Sequence, residues 1–221
     1  MKTVFIILFS LSLCSCTLVS KVTGRVKRVF PCYDGKFIHS DSLLCFDCVY
    51  RLVEPTTRYK IIKRSGFLNL NIKLDMVQDT IYTNIVFFKD GIVVYNCNFS
   101  EIYEKMDRGV FYKRYFWGHY EIFNDTVKIY CLEPPYDIFR NSDIYNKLSF
   151  KIINRNNISY IGSGDSNFVY YPTTTVLLKR IPDSDLCWLK KEKWFWCNKE
   201  DWKAYKEKMK KRKEIMRIKK E

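Results

Sequence analysis

Between residues 81 and 180, short runs of β-branched and aromatic residues are separated again and again by turn formers. Residues 81–89 and 92–98 flank Asp90-Gly91, a pairing that predicts a hairpin with a two-residue type I′ turn. Residues 118–132 fold back around Asn124-Asp125: Tyr120 and Ile122 alternate with His119 and Glu121, and Val127 and Ile129 continue after the turn. Residues 148–161 form a third such unit around Asn156-Asn157. Gly162-Ser163-Gly164-Asp165 is a further turn before strand material at 168–171 and 173–180, where Pro172 predicts an edge or a bulge. Eight to ten short, locally joined strands favour an up-and-down sheet, and enough of them can close it and remove its edges. The expected fold class is mainly β: an antiparallel meander or partly closed, barrel-like sheet, with a short internal helix and a basic C-terminal helix.

The flanks are less regular. Val26, Val29 and Phe30 alternate weakly before Pro31 and read as a first strand. Residues 32–56 are rich in cysteine and turn formers, with Asp34-Gly35 a tight turn and Glu54-Pro55 a break. Two extended runs, 59–64 and 67–74, lie either side of Ser65-Gly66; in the second, Leu68, Leu70, Ile72 and Leu74 alternate with Asn69, Asn71 and Lys73, the pattern of a half-buried strand. Ser100 can cap a short helix carrying Ile102, Tyr103 and Met106 and ended by Gly109. Asn198 can cap a helix over 199–218. Trp202, Tyr205, Met209 and Met216 make a partial stripe, interrupted by Arg212, so the first half is expected to pack on the sheet and the second to be solvated.

Composition agrees with a folded, strand-rich body. Apolar residues make up 47% and aromatics 17% of the 221 residues, which argues against disorder and favours strands. Ala204 is the only alanine. The net charge of +14 suits anionic surfaces or a merely solvated exterior. Much of the excess is local, with 14 Lys/Arg against 6 Asp/Glu in residues 190–221. No nucleic-acid-binding motif accompanies it, and nucleic acid is not an expected partner.

Residues 1–16, MKTVFIILFSLSLCSC, have a positive start, an apolar run and a terminal cysteine. Leu13-Cys14-Ser15-Cys16 resembles a bacterial lipobox, with Cys14 where a small or aliphatic residue is usual. The segment is short for a membrane-spanning helix and reads as a leader. The expected organisation is a signal peptide at 1–15, a lipidated tether at 16–25, a β-rich domain at 26–198 and a charged helix at 199–221. Cys16 would carry the palmitate-type lipid of a lipoprotein. Each buried methylene contributes roughly 0.8 kcal/mol, and several acyl chains anchor stably where one does not. Thr17 in place of Asp resembles the outer-membrane sorting pattern of enterobacterial lipoproteins. The expected location is the bacterial cell envelope, at the outer membrane.

The segment Tyr115-Phe116-Trp117-Gly118-His119-Tyr120-Glu121-Ile122-Phe123-Asn124-Asp125-Thr126-Val127-Lys128-Ile129 resembles a recurring hairpin unit of small, uncharacterised lipoproteins of Bacteroides and related bacteria. Phe87-Phe88-Lys89-Asp90-Gly91-Ile92-Val93-Val94 resembles the neighbouring Phe-x-x-Asp-Gly unit. The resemblance covers about residues 80–180 and the leader, and implies a loosely lipocalin-like accumulation of antiparallel hairpins. Its motifs specify turns rather than a ligand. Independently of it, Gly118 permits a close approach or bulge beside Trp117, and Asp125 belongs to a turn.

The chemistry-bearing residues are few. Beyond Cys14 and Cys16 there are seven cysteines, Cys32, Cys45, Cys48, Cys97, Cys131, Cys187 and Cys197, each a disulfide partner or buried thiol, and an odd number leaves at least one unpaired. Cys187 and Cys197 flank a short aromatic segment as a local pair, and Cys32 can reach Cys45 or Cys48. Cys45-Phe46-Asp47-Cys48 is a Cys-x-x-Cys spacing without the βαβ context of a redox site, and His39 is the one nearby third ligand for a metal. His39 and His119 are the only histidines and belong to no recognised catalytic motif. Gly162-Ser163-Gly164-Asp165 lacks the nucleophile-elbow spacing. No catalytic, metal or cofactor-binding residue is assigned, and no enzyme is expected. The expected function is a membrane-anchored envelope lipoprotein with a binding or structural role toward an envelope protein, a glycan or a small apolar ligand. The alternatives are a lipocalin-like ligand binder and a thiol or metal enzyme built on Cys45, Cys48 and His39.

Overall fold

The computed structural model describes residues 24–35, 43–65, 71–97, 102–109, 111–134, 145–162 and 171–218. Eight antiparallel strands close into an up-and-down barrel: β1 (Cys48–Ser65), β2 (Asn71–Phe87), β3 (Ile92–Tyr95), β4 (Phe116–Phe123), β5 (Thr126–Leu132), β6 (Tyr145–Asn154), β7 (Asn157–Gly162) and β8 (Tyr171–Leu177). The seam pairs β1 with β8 from Cys48↔Leu177 to Leu52↔Thr173. Closure leaves no unpaired edge around the barrel wall.

Two-residue alternation sorts the strands into two cores. One lies inside the barrel and holds Tyr50, Leu52, Ile85, Phe87, Val93, Tyr120, Ile129 and Phe150. The Phe87 ring meets Tyr50 and Tyr120 edge-on, with centroids 5.4 and 4.9 Å apart. The other core lies on the outer wall, where Val86, Phe88, Ile92, Val94, Trp117 and Leu132 are covered by flanking segments. The covering comes from α1 (Gly24–Val29), α2 (Ile102–Asp107), α3 (Phe111–Arg114) and a run of 3₁₀ turns at Ser184–Leu186, Leu189–Lys191 and Lys193–Phe195. The segment expected to be a first strand is thus helical, and Val26 and Phe30 reach the same face from it.

Local chemistry explains the turns. Phe88 pairs with Ile92 around Lys89-Asp90-Gly91, the Gly91 amide donates to the Phe88 carbonyl at 3.0 Å, and Gly91 takes φ +83. This is a three-residue loop with glycine in the left-handed position, not the two-residue I′ turn expected. Asn124-Asp125 joins β4 to β5 as expected, with Asn124 at φ +54. The β6–β7 turn falls on Arg155-Asn156, one residue earlier than the sequence suggests, and the Asn156 amide donates to Asn154 Oδ1 at 2.9 Å. Gly118 sits where β4 presses on β5: a Cβ there would lie 1.7 Å from the Tyr130 carbonyl oxygen.

Glu54-Pro55 does not break the chain; β1 runs through it, with Pro55 opposite Thr80. Pairing with β8 stops at Leu52 and pairing of β2 with β3 begins at Ile85. Among the described residues, 53–65 and 71–83 therefore form ladder pairs with each other alone, as a ribbon that extends by about 40 Å at strand rise, and the Asn84 carbonyl accepts from the Cys97 amide at 3.4 Å. Among the described residues each ribbon strand is laddered on one side, a setting in which a strand tolerates proline.

The expected short helix forms as α2, and the Gly109 amide donates to the Met106 carbonyl at 3.0 Å. The C-terminal helix α4 spans Lys199–Ile218, and the Glu200 amide donates to Asn198 Oδ1 at 2.9 Å, the expected cap. It leans on the 3₁₀ run rather than on the sheet: Tyr205 donates to the Asp185 carbonyl at 2.9 Å and the Trp202 indole to the Lys191 carbonyl at 3.3 Å. None of the described helices is long and apolar enough to cross a membrane.

Candidate functional site

Three arrangements bring chemistry-bearing residues together. The first stitches the two flanks of the barrel on its outer wall. Cys32 and Cys197 form a disulfide with Cα atoms 4.9 Å apart. Beside it the Tyr33 amide donates to the Phe195 carbonyl at 2.7 Å and the Cys197 amide to the Tyr33 carbonyl at 2.9 Å. The local Cys187–Cys197 pair and the Cys32 link to Cys45 or Cys48 are both replaced by this bridge, because the barrel carries α1 and the 3₁₀ run to the same wall. His119, projecting outward from β4, has Nε2 2.8 Å from the Pro31 carbonyl oxygen, so the neutral ring donates there. Burial, the largest influence, pushes its pKa below the ordinary histidine value. Phe30, Tyr33, Tyr130 and Phe195 surround the ring. His119 is a core clasp, not a ligand.

Next to this bridge lies a buried lysine that sequence reasoning missed. Lys190 is 3% exposed, with Nζ 2.6 Å from Asp90 Oδ2 and 3.5 Å from Asp185 Oδ1. Ser184 donates to the same Asp90 oxygen at 2.7 Å, and the Tyr33 hydroxyl donates to the Asp90 carbonyl at 2.6 Å. Lys208 of α4 reaches Asp185 at 2.5 Å, and Arg212 pairs with Asp183. Burial raises the Asp185 pKa, but the Lys208 hydrogen bond and the charge of Lys190 outweigh it and the net shift is downward. A lysine run at 190–193 reads as solvated in sequence; only the fold drives one of its members inward. Held by two carboxylates, the Lys190 side chain ties the β2–β3 turn to the 3₁₀ run.

The second arrangement closes one end of the barrel. The tight turns at 88–91, 124–125 and 155–156 all lie at this end, and residues 43–47 fold across it. Leu44, Cys45 and Phe46 belong to the inner core. The Cys45 amide donates to the Tyr50 hydroxyl at 2.7 Å, and that hydroxyl donates onward to the Arg155 carbonyl. The Cys45 thiol donates to Asp47 Oδ1 at 2.9 Å, and the Cys48 thiol approaches the Cys45 carbonyl at 3.5 Å. Burial is the main cause pushing both thiols upward, and the thiol bond holds the Asp47 carboxyl below its ordinary range. A low-pKa nucleophilic thiolate is therefore not built here.

The third is the opposite end, from which the β1–β2 ribbon, the α2–α3 connection and the β5–β6 and β7–β8 connections depart. Its inner-facing rim carries Tyr95, Phe116 and Tyr160, half-buried against the inner core. Tyr95 and Phe116 meet edge-on at 6.2 Å, and Tyr160 packs on Phe150 at 5.3 Å.

The remaining expected residues are dispersed. Cys97 and Cys187 are buried free thiols of the outer core, each pushed up to about 12 by burial. Cys131 is a buried free thiol of the inner core, shifted upward by burial. Asp125 serves its turn, accepting from Thr126 Oγ1 at 3.3 Å and facing Lys151 at 3.6 Å. Cys14, Cys16, His39 and 163–165 lie outside the described residues. Among the described residues no group of three or more His, Cys, Asp or Glu is placed to hold a metal. No protein-family profile, curated protein or solved structure matches the chain.

Proposed function

We propose that this chain is a lipid-tethered binding protein of the bacterial envelope, anchored through Cys16 at the outer membrane, and that it takes a small apolar ligand at the end of its barrel opposite the Leu44–Phe46 plug. The observation that carries the reading is the contrast between the barrel ends. One is shut by tight turns and by Leu44, Cys45 and Phe46; the other presents Tyr95, Phe116 and Tyr160 half-buried on its inner rim. Barrel mouths are recurrent sites for small ligands, and aromatic rims give apolar contact with a polar handle. The leader resembles those of lipoproteins, and the hairpin units resemble small Bacteroides lipoproteins, which supports the anchor and the compartment.

The deep interior is filled by Tyr50, Phe87, Tyr120 and Phe150, so the ligand would rest shallowly on the rim. The full chain, expressed in a Gram-negative host, should carry acyl mass at Cys16 that Cys16→Ser abolishes. It should also enhance the emission of a solvatochromic apolar dye, with Phe116→Ala and Tyr160→Ala weakening the dye's Kd by roughly tenfold or more. Dye binding at no concentration, or binding insensitive to both rim substitutions, would leave a solid barrel with a structural or protein-contacting role.

A further inference from the structure

The plug across the closed end contains the only Cys-x-x-Cys spacing of the chain. The Cys48 thiol turns back onto Cys45, 3.5 Å from its carbonyl oxygen, and faces the Cys45 sulfur as a hydrogen-bond donor. Cys48 opens β1, where it is fixed opposite Leu177 of β8, and the Leu178 amide donates to the Asp47 carbonyl at 2.9 Å. Cys45 is held from the other side by its amide bond to Tyr50. The thiols are thus presented to each other by a turn pinned at both ends. The same chain closes Cys32–Cys197 elsewhere, which requires an environment able to form disulfides.

We propose that Cys45 and Cys48 are a modification site: in the mature protein they close into a second disulfide that locks the plug onto the first residue of β1. The oxidant is a disulfide, either a low-molecular-weight thiol disulfide or the disulfide of an envelope oxidoreductase. The Cys45 thiol gives up its proton toward Asp47, and its sulfur attacks one sulfur of the oxidant. The oxidant's S–S bond breaks and its first half leaves as a thiol. The Cys48 sulfur then attacks Cys45 Sγ, the mixed S–S bond breaks, and the second half leaves as a thiol. Two protein thiols lose two electrons and two protons, and one disulfide of the oxidant is reduced to two thiols.

The surroundings favour the closed form. A buried thiolate is disfavoured here, so the reduced pair gains none of the stabilisation that makes strongly oxidising Cys-x-x-Cys pairs reducible. A disulfide is uncharged and suits the apolar plug. The raised thiols also mean that closure needs the minor thiolate, so its rate should climb about tenfold per pH unit across neutral to mildly alkaline pH.

The test uses the full-length protein, reduced and then incubated natively with oxidised glutathione, quenched in acid, denatured, alkylated and digested with trypsin. Cleavage after Lys36 and Arg51 leaves both cysteines in one peptide. The expected peptide is unalkylated and two hydrogens lighter, while those of Cys97, Cys131 and Cys187 are fully alkylated. Cys48→Ser should stop the reaction at the mixed disulfide, leaving one glutathione on Cys45. Full alkylation of both cysteines, glutathione on either one in the unsubstituted protein without closure, or closure only after denaturant is added would each overturn the proposal. The ligand reading concerns the opposite end of the barrel and does not depend on this outcome.

Discussion

The inner and outer cores are built from the same strands but are held together differently. Inside, Phe87 is wedged between Tyr50 and Tyr120, and the polar contacts are single hydroxyl bonds to backbone, such as Tyr120 to the Phe88 carbonyl and Thr173 to Ile158. Outside, the apolar layer of Trp117, Phe88 and Phe195 is completed by a disulfide, a buried lysine with two carboxylates and a neutral histidine. The barrel closes by its own ladder, so its interior needs only side chains that fill the space. The outer layer must hold segments that share no ladder with the wall they cover. Among the described residues the segments that follow α1 and the last 3₁₀ turn share one bridge, Tyr33↔Trp196. Directional and covalent links at Cys32–Cys197, Lys190 and His119 supply the register that strand pairing supplies inside.

This difference makes the two layers separable by experiment. The largest effect is expected from Gly118→Ala, which places a methyl group against the Tyr130 backbone and must part β4 from β5. A loss of about 3 kcal/mol or more is expected, read as a lower urea midpoint that moves the near-ultraviolet signals of both layers together. Retention of wild-type stability would mean that the close strand approach is not part of the native barrel.

Next comes Cys32→Ser. Its disulfide spans a sequence separation of 165, and its loss should cost about 2–5 kcal/mol. Hydrogen exchange should then accelerate at the Tyr33 and Cys197 amides while the Ile85 and Tyr120 amides stay protected to near the global limit. Equal acceleration at all four would show that the two cores open as one unit and would erase the distinction.

The smallest effect is a pH dependence of the outer layer. The folded pKa of His119 lies below its unfolded value near 6.5, so the unfolded chain binds the extra proton first. The contribution of the neutral ring is complete above that unfolded value. It declines as pH falls below it, by at most about 1.4 kcal/mol per pH unit, and levels off once the folded ring titrates. Subtracting the acid-side stability profile of His119→Gln from that of the parent should leave this slope. Parallel profiles would mean that His119 is not buried as a neutral donor to Pro31.

Much of the barrel was legible in the residues because its information is local. Alternation at 118–132 and turn formers at 90–91 and 124–125 act over a few residues, and they place β4, β5 and the α2 and α4 helices within about two residues of where they lie, whereas the runs expected at 67–74 and 81–89 merge into the single strand β2 and β3 ends at Tyr95 rather than at residue 98. The misplacements are also local in cause. Gly91 satisfies a three-residue loop as readily as a two-residue turn, and Pro55 reads as a break, although it falls beyond Leu52, where the described pairing of β1 is with β2. Residues 26–30 fit a strand by alternation, yet the helix Gly24–Val29 and the residue after it, whose amide donates to the Val26 carbonyl, bury Val26 and Phe30 equally well.

Composition and periodicity by themselves determined a β-rich antiparallel fold of consecutive hairpins, with a capped basic helix after Asn198. Tertiary structure alone decided that the strands number eight and close, that Cys32 meets Cys197 rather than a nearer cysteine, and that Lys190 turns inward. The reason is range. Turns and alternation are encoded by neighbours a few residues apart, whereas closure, cysteine pairing and the burial of one lysine depend on which surfaces meet after residues as distant as 32 and 197, or 90 and 190, are carried to the same wall.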